Sequence, residues 1–275
     1  MGKITFRPVV QVLFRTKVVA VLPVLGSIMF TVGSVAFLPN LIAASEQFAT
    51  VSGASCFIAG SCFFFIAPTL DFLDMTYSAR DLKASAAAET HLEKRYKSMY
   101  EAAIILGTRV NALLYAVSGA CFIAGSALFL PAYWVQTTQG AWLFLMGCII
   151  NILGAILATG AALQLHQKAP KSDDGYLSDE MYAIISCSLY ILGDVIYAIG
   201  SILFFPHNIL LTTNTNLTAV FSYEAIAYRS SIILFITGSI IFLIGSSIDL
   251  YVVARTRHSH QGLPSVSESS GLIGH

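Results

Sequence analysis

Six long apolar runs, at 18–38, 51–70, 110–131, 141–165, 182–205 and 230–253, leave this chain few ways to fold. Crossing roughly 30 Å of hydrocarbon takes about 20 helical residues, so each run is long enough for one crossing. With 56% of residues hydrophobic and 11% charged, the composition lies outside the soluble globular range. Little chain is left for a soluble catalytic domain. The expectation is an all-α integral membrane protein with six transmembrane helices.

The charges between the runs orient the chain. Lys3, Arg7, Arg15 and Lys17 precede the first run, Arg80, Lys83, Lys94, Arg95 and Lys97 follow the second, Lys168 and Lys171 follow the fourth, and Arg255 and Arg257 follow the sixth. Basic segments stay in the cytoplasm, so both termini are expected there, and of the Lys and Arg residues only Arg229 falls on the other side. The outer connection near Tyr133, Trp134 and Trp142 is uncharged and carries aromatics as interfacial anchors. The next outer loop contains the sequon Asn216-Leu217-Thr218, a possible glycosylation acceptor. The first run has no A-x-A site after it and reads as a retained span, and Phe6 stands where a myristoylation signal needs Ser or Thr. The localisation expected is a membrane, the plasma membrane first among them, with the protein passing through it several times.

A second regularity lies inside the runs. A small residue is followed seven positions later by Gly, and the pattern recurs from Gly26 to Gly33, Gly53 to Gly60, Ser118 to Gly125, Gly147 to Gly154, Gly193 to Gly200 and Gly238 to Gly245. Ser usually follows the second Gly, with an aromatic near four positions on. Seven residues make just under two helical turns, so both small residues lie on one face. In lipid, helices associate through close packing at small residues rather than through apolar contact as such. These glycines therefore read as packing surfaces, and the Phe beyond each one as a knob for a neighbour's notch.

Pairing the runs aligns Gly33 through Pro39 with Gly125 through Pro131 and Gly200 through Pro206. Each repeat crosses twice and enters from the same side, so the repeats are parallel; a pseudo-threefold ring and an open array of three hairpins both satisfy this. The domain reading is 1–74 as the first hairpin with its basic start, 75–103 as a cytoplasmic helical linker running into span three and 104–166 as the second hairpin. Residues 167–181 form a polar cytoplasmic loop, 182–254 the third hairpin and 255–275 a disordered cytoplasmic tail.

The Gly-Ser-x-x-Phe of one helix, a short turn with Pro, and then Trp142-Leu143-Phe144-Leu145-Met146-Gly147 or Cys56-Phe57-Ile58-Ala59-Gly60-Ser61 opening the next resemble the YrhK-like membrane domain. That resemblance implies a two-helix membrane module, here in three copies, and brings no activity or site residues with it. The chain departs from the pattern at Gly154-Ala155, where Gly-Ser is expected, and at Asp194, which replaces a small residue. Three two-span repeats also occur in mitochondrial carriers, but the P-x-[DE]-x-x-[KR] signature of their odd helices is missing here.

Ionisable groups within spans are costly and default to functional candidates. Asp194 lies near the middle of span five, and Asn151, at similar depth in span four, is within reach as its partner. Asp194 reads either as a proton- or cation-binding carboxylate or as a protonated group joining helices four and five. Arg109, Asn111, Asp71, Asp74 and Asp249 share the inner end of the spans and suggest a ring of ion pairs there. The five cysteines and the histidines show no metal-ligand spacing, and no nucleophile and base converge at one depth, so neither a metal, a cofactor nor an enzyme activity is expected. Three functions remain: a helix-packing, assembly or scaffold protein whose partners are the lipid bilayer and a second membrane protein or copy of itself, with no nucleic acid; a small-solute or proton-coupled ion transporter using Asp194; and, third in order, a membrane sensor with helix 78–103 as its cytoplasmic output.

Overall fold

Among the residues that the computed structural model describes, 7–86, 92–168, 177–210 and 217–261, every regular element is a helix. They are α1 (Arg7–Ala36), α2 (Pro39–Ala44), α3 (Glu46–Ala86), α4 (Leu92–Ala127), a 3-10 turn (Pro131–Gln136), α5 (Thr137–Lys168), α6 (Asp179–Leu210) and α7 (Leu217–Gln261). The prolines that close the first two odd runs start new elements: Pro39 opens α2, and Pro131 opens the 3-10 turn. That position suits a residue with a fixed φ and no N–H to offer. At the third equivalent point α6 continues past Pro206 to Leu210. Ser178 caps α6, its Oγ accepting from the Met181 N–H at 3.3 Å. The six long helices each contain a segment long and apolar enough to cross a membrane, such as Val18–Ala36, Gly107–Ala127 and Ile226–Arg255.

The polar stretch 78–103 is divided differently from the sequence reading. Residues 78–86 extend α3 and 92–103 begin α4, so the first part belongs to the helix of span two. Neither Gly nor Pro interrupts the chain between Asp71 and Ala86, and a helix has no reason to stop there. Residues 87–91, most of the loop at 167–181, Asn216 and the tail beyond Gln261 lie outside the described residues.

α1 packs on α3, α3 on α4, α4 on α5, α5 on α6, α6 on α7, and α7 returns to α1. The three hairpins α1/α3, α4/α5 and α6/α7 thus close a ring, the first of the two arrangements that the repeats allow.

The seven-residue pattern builds this ring by giving each helix three inward-turned positions. One small position faces the partner within the hairpin. A Cβ placed on Gly60 would lie 2.9 Å from the Gly26 carbonyl oxygen, and one on Gly33 would lie 3.0 Å from that of Gly53. Gly125 and Gly140 meet in the same way in the second hairpin, and Gly238 approaches Gly193 in the third. Where Ser stands opposite Gly it uses the proximity: Ser118 Oγ donates to the Gly147 carbonyl at 2.9 Å and Ser231 Oγ to that of Gly200 at 2.8 Å. The next position faces the adjacent hairpin, as where Ser61 and Ser126 bond each other at 3.2 Å across α3 and α4. Most of these serines also return a bond to the carbonyl four residues back, as Ser34, Ser61, Ser126, Ser201 and Ser246 do, so their hydroxyls are satisfied without water.

The third position, three residues after the serine site, carries an aromatic ring toward the ring's axis. Phe57, Phe144 and Phe235, one from the second helix of each hairpin, meet pairwise with centroids 5.9, 6.4 and 6.5 Å apart. Below them Phe30 lies 6.2 Å from Phe122 and 6.0 Å from Tyr197, one residue from each first helix. The pseudo-threefold axis runs through these stacked triads. The same rings fill the notches: Phe37 lies over Gly53, Phe144 over Gly125, Phe122 over Gly147, Phe242 over Gly193 and Phe235 over Gly200, each within 3 Å of where a Cβ would be. The outward faces expose Val32, Val117, Leu153, Ile199, Ile233 and Ile244, an apolar surface of the kind a bilayer covers.

The close approach of the helices predicts an asymmetry between glycines. Gly60→Val must push the Gly26 backbone away and should cost about 1–3 kcal/mol of stability, whereas Gly160→Ala enters open space and should be neutral or gain up to about 1 kcal/mol from helix propensity. Thermal unfolding of the two purified variants in detergent checks the contrast.

Candidate functional site

Toward the end of the ring where α1 starts and α7 finishes, the axial positions stop being phenylalanine. Seven residues from Phe30, Phe122 and Tyr197 come Pro23, Tyr115 and Tyr190; seven from Phe57, Phe144 and Phe235 come Phe64, Asn151 and Phe242, and seven further Asp71, Ala158 and Asp249. All twelve of the side chains from Phe30, Phe122 and Tyr197 downward line one cavity of about 430 Å³, together with Asn111, Ser118, Ser186 and Cys187. On the other side of the Phe30 layer the axis is closed. Phe37, Phe57, Phe129, Phe144, Phe204, Ile232 and Phe235 enclose only about 20 Å³.

The cavity exists because the second hairpin breaks the threefold with smaller side chains. Asn151 stands where its counterparts are Phe64 and Phe242, and Ala158 stands where they are Asp71 and Asp249. Replacing a ring by an amide and a carboxylate by a methyl withdraws the α5 wall, while the other two hairpins keep their bulk. The volume is in the range that holds small organic ligands.

Asp194 is fully buried, 0% exposed, at a site where Ser27 and Gly119 stand in the other two hairpins. Ser27 donates to its own helix, to the Pro23 carbonyl at 2.9 Å. A carboxylate cannot do this in its ionised form, and Asp194 instead bridges hairpins: Asn151 Nδ2 donates to its Oδ2 at 2.6 Å. Its Oδ1 is buried with no hydrogen-bond partner. The two residues that sequence depth brings together are therefore in contact, and they differ in access: Asn151 lines the cavity and Asp194 is sealed behind it.

Of the inner-end group, Asp71, Asn111 and Asp249 line the cavity. Asp249 Oδ2 accepts from the Tyr190 hydroxyl at 2.8 Å, so a hydroxyl and not Arg109 meets this carboxylate. Asp71 lines the cavity from the first hairpin. Asn111 occupies the small-residue position opposite Gly154, where its Oδ1 lies 3.0 Å from the place of a Cβ and has no hydrogen-bond partner. Gly154 accommodates an amide where other pairs match Gly with Gly or Ser. Gly245 is the loosest of the paired glycines, its nearest neighbour being the Tyr190 ring at 3.4 Å. Arg109, two residues before Asn111 in α4, is half-buried and outside the lining, and the side chain of Asp74 lies outside those described.

Sequence reasoning passed over Tyr115, Ala158, Ser186, Tyr190 and Tyr197. The signal for four of them was present: continuing the aromatic spacing by one more heptad on each helix reaches Tyr115, Ala158, Tyr190 and Tyr197 directly. All five cysteines are free thiols, and no three His, Cys, Asp or Glu among the described residues are placed to hold a metal ion.

Geometry thus defines a class: a six-helix ring of three parallel hairpins, closed by aromatics at one end and hollow at the other. The family model for YrhK-like proteins matches residues 17–75, 108–162 and 180–253, more than half of the chain and one match for each hairpin, and the chain belongs to this family. Comparison with curated proteins and with solved structures gave no match.

The Asn151 and Asp194 contact makes a measurable prediction. A double-mutant cycle with Asn151→Ala and Asp194→Ala should give a coupling of about 0.5–1.5 kcal/mol in unfolding free energy, the span measured for buried polar pairs between membrane helices. Additive single effects would show that the 2.6 Å bond contributes nothing to stability.

Proposed function

We propose that this chain is a multi-pass membrane protein that admits a small solute into the hollow end of its helix ring, in the inward-open state of a transporter. The observation that carries the reading is the cavity of about 430 Å³ that stops at a wall of phenylalanines. One-sided access with a packed barrier beyond is the arrangement an alternating-access protein needs. The start of α1 and the end of α7 lie at the hollow end, and the basic residues of the neighbouring sequence favour the cytoplasm for that end. The outer part of α7 then carries Arg229, and the sequon that begins at Asn216 directly precedes that helix in sequence.

Assembly through glycine faces has less support, because the notches that motivated it are occupied within the chain, Gly against Gly or against an aromatic ring. What the ring offers a lipid or a second protein is mainly its exposed Val, Leu and Ile. Of the two parts its depth allowed, a proton- or cation-binding carboxylate or a group joining spans four and five, the contact of Asp194 with Asn151 supports the second. Behind Asn151 it holds the cavity wall, and a proton or cation reaches it only if that pair opens.

Cys187 lines the cavity, whereas Cys148 is fully buried, and this difference supplies a test in the full-length protein. In a variant retaining Cys187 alone, a charged, membrane-impermeant thiosulfonate should modify the thiol from the cytoplasmic face of oriented vesicles and not from the opposite face. Asn151→Phe, which restores the missing ring, should slow the modification by about tenfold or more by filling the space. Modification from the opposite face only, or none from either, would sink the reading.

A further inference from the structure

The lining of the cavity has a chemical sign. Among the described residues it contains two carboxylates, Asp71 and Asp249, from equivalent sites of the first and third hairpins, and no Lys, Arg or His. Between and above them stand the rings of Tyr115 and Tyr190, then Phe64 and Phe242, and at the floor Phe30, Phe122 and Tyr197. Asp249 is held by the Tyr190 hydroxyl at 2.8 Å, which fixes the carboxylate and one ring as a unit. Tyr190 in turn contacts Phe242, with centroids 6.1 Å apart, and Phe242 contacts Phe64 at 6.0 Å. A continuous aromatic wall therefore runs from the carboxylate to the floor.

Two ligand chemistries are disfavoured by this wall. An anion would meet the Asp249 carboxylate, whose hydrogen-bond partner is the Tyr190 hydroxyl and not a basic group. A bare metal cation takes several oxygen ligands in its first shell, and aromatic carbon supplies none. A cation whose charge is spread over carbon-bearing groups gains from both features: the faces of Tyr and Phe attract it through their quadrupoles, and the carboxylate neutralises it in a space that water fills poorly. From this lining we infer that the solute is an organic cation, an amine or quaternary ammonium carrying an apolar or aromatic group, with Asp249 as its counter-charge. The inference rests on the reading of the cavity as a solute site and adds the class of solute.

The test uses the full-length protein in detergent with three probes of similar size: benzyltrimethylammonium, its uncharged carbon isostere neopentylbenzene, and the anion phenylacetate. Calorimetric titration should show the ammonium binding at least about tenfold more tightly than either of the others. Asp249→Asn, which keeps an oxygen to accept from Tyr190, should lose at least about tenfold in ammonium affinity while leaving the isostere unaffected, and Asp249→Glu should keep most of it. Equal binding of the isostere, preference for phenylacetate, unchanged affinity in Asp249→Asn, or no binding of any of the three each overturns the assignment of an organic cation. Those results leave the solute cavity itself standing or falling on the labelling of Cys187, so the two failures are told apart.

Discussion

Everything in this structure depends on how closely two antiparallel helices can approach where neither has a side chain. With Gly60 against Gly26 and Gly33 against Gly53, the backbones come so near that an added Cβ would press on a carbonyl oxygen. In lipid there is no hydrophobic gain from bringing helices together, so dispersion contacts at such notches have to supply the association. The serines add to this by donating across the same gap, as Ser118 and Ser231 do. Narrow hairpins leave room at the axis, and the aromatic side chains three residues further along fill that room. Close backbone approach and a stacked aromatic axis are thus two results of one seven-residue period.

The period also explains where the cavity is. An axis filled by phenylalanine at every level would be solid, as it is between Phe37 and Phe235. Each axial site is an independent choice of side chain on an unchanged backbone, so hollowing one end needs no change of fold. Asn151 and Ala158 do it in the second hairpin alone. The polar groups this exposes are costly in such surroundings unless bonded, and Asn151 and Asp249 have each found a partner from another helix.

Much of this was legible in the residues. Six helices, three parallel hairpins and the packing role of Gly26 through Gly245 follow from run length and spacing, which are local properties of one helix. The pairing of Asn151 with Asp194 followed from their depths in adjacent spans. Closure of the ring was not legible, because it depends on whether α7 reaches α1, and both faces involved carry the same small residues as every other face. The cavity was missed for a related reason. Pro23, Tyr115, Ala158 and Tyr190 look like ordinary span residues until the register of three hairpins brings them around one axis. Residues 78–86 continue the helix of span two, because unbroken helix propensity ties them to the span before as well as to the polar stretch after.

The single contact between Asn151 and Asp194 has a bearing on why three hairpins are joined in one chain. A separate hairpin of this design could close the same ring only with two identical copies, and any polar residue placed near its axis would then appear three times. Three buried aspartates around one axis would repel one another or demand three protons. Covalent fusion frees each hairpin to differ, so one acid and one amide can be introduced where their counterparts remain Ser27 or Gly119 and Phe64 or Phe242. Linkage here serves less to hold the hairpins together than to permit the asymmetry on which a shaped interior depends.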